Sequence, residues 1–101
     1  VAIFYTTLAD DIHSMPENAK AELFQCLAAT AERPVDRTPS RLLGEAEAVA
    51  ADLRAIDDPA VVADRAGVIV ELLSKVDGTG DAEADAAVAR ARELAETLSA
   101  E

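Results

Sequence analysis

The chain has 101 residues, enough for one domain with a modest core. Asp and Glu number 20 against nine Lys and Arg, for a formal net charge of −11. That balance argues against nonspecific binding to nucleic acid or to anionic membranes, since both need a positive field.

The acidity has two readings. One is adaptation to high salt, where screening removes self-repulsion and a carboxylate-rich surface stays hydrated. The other is a coding bias that also raises Ala and Arg. A basic partner is compatible with the charge, but a solvated acidic face explains it more simply. Half the residues are apolar, yet only Phe4, Tyr5 and Phe24 are aromatic. An alanine-rich core lets helices approach closely while each contact buries little area. Cys26 is the single cysteine, so no internal disulfide can form, which points to a reducing, cytoplasmic setting. No apolar run reaches the ~18 residues of a membrane span. No basic region and small-residue cleavage site mark a signal peptide. The start at Val1 suggests one domain, residues 1–101, belonging to a longer protein.

The first seven residues of the opening segment, 1–13, carry β-branched and aromatic types that favour strands. Val1, Tyr5, Leu8 and Ile12 also fall at helical spacing. No other segment reads as a strand partner, so a helix is expected here, with an edge strand as the alternative. Ser14-Met15-Pro16-Glu17 is a helix-start signature: a capping hydroxyl, a proline in the first turn and an S-x-x-E box. The helix it opens, about 15–33, is expected to bury Leu23, Phe24, Leu27, Ala28 and Ala31, with Lys20, Glu22 and Gln25 outside. Cys26 lies beside this stripe and reads as a small core residue rather than a nucleophile.

Pro34 and Pro39 prevent a continuous helix through the next stretch. It is the only locally basic one, with Arg33, Arg37 and Arg41. These could hold an anion at the start of the following helix, where backbone donors add a favourable dipole. The plainer reading is a loop whose arginines balance nearby carboxylates. Thr38 is expected to cap that helix, with Pro39 in its first turn. Leu42, Ala46, Val49, Leu53 and Ile56 form its inner stripe, with Leu43 and Ala50 on the edge. Glu45, Glu47, Asp52 and Arg54 face away or flank it.

Asp57-Asp58-Pro59 ends one helix and starts another, with Asp58 as cap and Pro59 at the first position. So short a connection favours an antiparallel hairpin. The helix over 60–76 is the most apolar of the chain. Val62, Ala66, Ile69, Leu73 and Val76 run down one side. Val61, Val68 and Leu72 widen the stripe on one flank, Ala63 and Val70 on the other. The apolar arc is roughly twice the width a surface helix needs, so this helix is expected at the centre, touching several neighbours. Gly78 can take a left-handed conformation past its end. Asp81, Glu83 and Asp85 then crowd the start of a last helix, about 81–99, where negative charge is favourable. That helix is expected to bury Ala84, Ala87, Val88, Ala91, Leu94, Ala95 and Leu98, with Arg90–Glu93 and Arg92–Glu96 pairs outside. The two hairpins, roughly 15–56 and 58–99, do not align into a repeat.

Two constellations could hold a metal. Asp77, Thr79, Asp81, Glu83 and Asp85 occupy alternate positions, like the first ligands of an EF-hand loop. The match fails at position 6, where Ala82 replaces the turning glycine, and at position 12, where Val88 replaces the closing glutamate. A cap followed by a charged helix start explains the same residues. Asp10, His13 and Glu17 would share one face of a continuous helix, but Pro16 interrupts it. Nucleophilic catalysis needs a hydroxyl or thiol beside a base. The only histidine neighbours Ser14, which already has a capping role. Gly78-Thr79-Gly80 lacks the downstream lysine and the strand-turn-helix context of a phosphate loop. An acidic surface mimicking nucleic acid is permitted by the total charge, but no regular spacing demands it.

The sequence therefore predicts an all-α bundle of four main helices plus an N-terminal one, arranged as antiparallel hairpins. It has no assigned catalytic, cofactor or metal residues. The function expected is a non-catalytic interaction or assembly module, acidic and salt-adapted, working with a protein partner or with itself. The alternatives are an accessory or regulatory domain of an enzyme whose active site lies outside this chain, and a weak metal- or ligand-binding bundle.

Overall fold

The computed structural model describes residues 15–100, with side chains from Glu17 onward. The expected N-terminal helix, the Ser14 cap, and Asp10 and His13 lie outside the described residues. Four helices follow: α1 Met15–Thr30, α2 Arg37–Leu53, α3 Pro59–Ser74 and α4 Ala82–Ser99. Among the described residues there is no strand. No helix of the described part is long and apolar enough to cross a membrane.

The helices pack as a ring. α1 lies on α2, α2 on α3, α3 on α4, and α4 closes back onto α1 in the most extensive of the four interfaces. Cross-links between sequence-distant residues fix the directions. Lys20, early in α1, reaches Ile56 just past the end of α2. Arg33, just past the end of α1, reaches Asp81 at the start of α4. Neighbouring helices therefore run antiparallel, as short connections favour.

Each helix presents a narrow stripe to the shared core. Leu23 and Leu27 come from α1; Leu43, Ala46, Ala50 and Leu53 from α2; Val62, Ala66, Ile69 and Leu73 from α3; Ala91, Leu94, Ala95 and Leu98 from α4. Ala46, Ala50, Ala66, Ala91 and Ala95 are completely buried, so backbones meet closely where larger side chains would hold them apart. The leucines and Ile69 supply most of the apolar area, about 1.5–3 kcal/mol for each fully buried side chain.

The structure corrects four local expectations. α1 ends at Thr30, and a tight turn closed by Ala31, Glu32 and Arg33 N–H groups follows. Ala31 is consequently exposed, not inward. Pro34 bars continuation, and the Thr30 hydroxyl donates back to the Leu27 carbonyl at 2.6 Å. Lys20 is buried, not outside: it lies three and seven residues before Leu23 and Leu27, on their stripe. Its stem packs inward while Nζ donates to the Ile56 carbonyl at 2.8 Å and to Glu17 Oε1 at 3.0 Å.

The N-cap of α2 is Asp36, not Thr38. Proline is tolerated throughout a helix's first turn, so Pro39 marked the turn but not the residue. A tertiary bond decides it: the Asp36 N–H donates to the Thr79 carbonyl at 2.9 Å. Finally, α3 touches α2 and α4 but not α1, and so is one of four ring members rather than a hub. Its buried stripe is the expected one, Val62, Ala66, Ile69 and Leu73, with Val76 half-buried. Only its start is capped as read, with Asp58 Oδ1 accepting from the Ala60 N–H at 2.9 Å behind Pro59.

Candidate functional site

Two regions hold chemistry worth weighing, one polar and one apolar. The polar one is a clasp between the α1–α2 loop and the α3–α4 loop. Thr79 is its completely buried centre. The Thr79 N–H donates to Asp85 Oδ1 at 2.8 Å. The Thr79 hydroxyl oxygen lies 2.8 Å from the same carboxylate oxygen and 2.9 Å from the Asp81 carbonyl, and accepts from the Asp81 N–H at 3.1 Å. A hydroxyl has one proton to give, and the ionised carboxylate is the stronger acceptor. Asp81 in turn caps α4, its Oδ2 accepting from the Ala84 N–H at 2.9 Å.

Arg33 closes the clasp from the other loop. Its Nε and Nη2 donate to the two Asp81 carboxylate oxygens at 2.9 and 3.0 Å, and Nη1 lies 3.2 Å from Glu83. This fork holds the Asp81 carboxyl below the usual carboxylate range, and Asp81 raises the Arg33 guanidinium in return. Gly80 has φ +84, where glycine has no side chain to strain. A Cβ there would also lie 2.8 Å from Asp36 Oδ2.

The residues singled out as metal ligands are thus occupied otherwise. Asp81, Glu83 and Asp85 point to a guanidinium, a hydroxyl and backbone donors, while Asp77 is exposed. Among the described residues no three His, Cys, Asp or Glu side chains gather as a metal shell. Glu17 is paired with Lys20. Of the three arginines, Arg33 is spent on the clasp and Arg41 lies 3.7 Å from Glu45 one turn on, leaving only Arg37 outside any ion pair among the described residues. The Cys26 thiol is half-buried, and desolvation, with Glu22 adding to it, pushes its pKa up. A nucleophilic thiolate needs the opposite shift.

A second polar link joins α1 to α4. Arg90 Nε and Nη2 donate to both Glu22 oxygens at 2.8 and 3.1 Å, and Nη1 to Glu93 at 3.2 Å. The Glu22 carboxyl is lowered by these hydrogen bonds. Arg54 holds its guanidinium over the ring of the half-buried Phe24, 5.4 Å from its centre. A cleft of about 120 Å³ lies between the end of α1 and α2, lined by Thr30, Ala31, Val35, Ser40, Leu43, Gly44 and Glu47. Pockets for small molecules run to ~300–1,000 Å³, so this one holds a few waters at most.

The apolar region is the outer flank of α3. Val61 and Val68 are each 39 % exposed and are the large apolar side chains most open to solvent among the described residues. Leu72 is half-buried beside them. Val61, Arg65, Val68, Leu72 and Lys75 follow at spacings of four, three, four and three, so they share one face. Asp64 and Glu71 border it. This is the surplus of the wide apolar arc: the ring covers one side of it and leaves the other uncovered.

Sequence reasoning missed Thr79 as a buried centre and Lys20 as a link between helices. A signal for the first was present, since Thr79 stands two residues before an Asp N-cap and six before Asp85. For Lys20 the signal was its place on the leucine stripe.

The model of a family described as a domain of unknown function, DUF8152, matches residues 19–101. The match takes in α2, α3 and α4 whole and α1 from Ala19 onward. No curated protein and no solved structure matches the chain.

Proposed function

We propose that this chain, which belongs to the DUF8152 family, is a non-catalytic helical module that works by association, through the outer face of α3. The observation that carries this reading is the pair of valines, Val61 and Val68, each 39 % exposed on one flank of a helix whose adjoining stripe, Val62, Ala66, Ile69 and Leu73, is packed in the core. Burying such side chains is favourable by about 25 cal/mol per Å² of apolar surface. The engagement of Glu22, Arg33, Asp81, Asp85 and Arg90 in a cap, ion pairs and the clasp supports it too. The net charge of −11 sets the conditions. Copies of the chain repel at low ionic strength, and salt with a Debye length of ~10 Å at 0.1 M removes much of that. Association through an apolar face should therefore strengthen with salt. The acidic surface and lone cysteine fit a salt-adapted protein of a reducing, cytoplasmic setting that does not bind nucleic acid.

Light scattering and sedimentation at rising protein and KCl concentration test this reading. The expected result is self-association that grows with both. A strict monomer under every condition overturns the self-associating form of the proposal.

A further inference from the structure

We draw no further inference here: the strongest candidate, the apolar flank of α3 around Val61 and Val68, carries nothing beyond the association already proposed, because nothing in the structure shows what covers it.

Discussion

The clasp and the outer face of α3 are opposite solutions to leaving side chains at a boundary. In the clasp, Thr79 is fully buried and polar, and every contact is directional and satisfied. On the α3 face, Val61 and Val68 are apolar and open, with nothing directional to satisfy. The first arrangement stabilises this chain and offers a ligand little. The second adds little to this chain's stability and leaves surface that another protein can cover. Burial with complete hydrogen bonding marks structure, and an uncovered apolar stripe leaves surface available for contact.

The sharpest contrast lies within α3 itself, between neighbours. Ile69 is completely buried and Val68 is 39 % exposed. Ile69→Ala should cost about 2–5 kcal/mol by leaving a cavity. Val68→Ala should stay within about 0.5 kcal/mol, as surface changes do. Denaturant unfolding of both variants measures this. Equal losses would mean that the α3 face is covered and the comparison is mistaken.

The clasp comes next. Thr79→Val keeps the shape but removes the hydroxyl, leaving the Asp81 N–H without its acceptor and Asp85 with one donor fewer. A loss of about 1–3 kcal/mol is expected in the same unfolding experiment. Gly80→Ala should cost about 1–2 kcal/mol from its positive φ, with Asp36 also forced aside. A neutral result for both would show that the two loops are not held together as described.

Smaller effects involve charge. Asp81 and Glu22 have carboxyls lowered by Arg33 and Arg90 respectively. A carboxyl lowered in the folded state adds stability above its unfolded value of ~4, and that stability is lost as pH falls through the folded value. Arg33→Met should therefore lower the melting temperature at pH 7, and its difference from the parent chain should shrink below about pH 4. A difference unchanged from neutral to strongly acid pH would contradict the pairing. Salt should act in the opposite direction from what ion pairs alone suggest. The direct pairs, at 2.8–3.2 Å for Arg90 and Arg33, lie well inside a Debye length of ~10 Å, whereas the scattered carboxylates repel over longer distances. KCl should raise the melting temperature by a few degrees. A fold most stable at low salt would leave the acidity without a protective role.

Much of the fold was legible because it rests on local chemistry. Asp58 before Pro59, and the leucine and alanine spacing of α2 and α4, state helix starts and inner faces without reference to other helices. What was not legible depends on partners distant in the chain. The Asp36 cap is set by Thr79, the burial of Lys20 by the Ile56 carbonyl, and the closure of α4 on α1 by packing that no single helix encodes. The wide apolar arc of the third helix is a true feature of its sequence, but it does not imply a central position. A ring of four gives each member only two neighbours, so the surplus emerges at the surface. Of the candidate site residues, the acidic loop was equally visible, as was its reading as a cap and charged helix start, but its pairing with Arg33 joins residues 48 positions apart.

Contact through the α3 face is the proposal on which the rest depends. Sedimentation of Val68→Glu beside Ala89→Glu, which adds the same charge at an exposed position on α4, in high KCl, tests it most directly. Val68→Glu should abolish the salt-favoured association while Ala89→Glu preserves it, both variants keeping their helical content. Equal loss in the two, or association untouched by Val68→Glu, would contradict it.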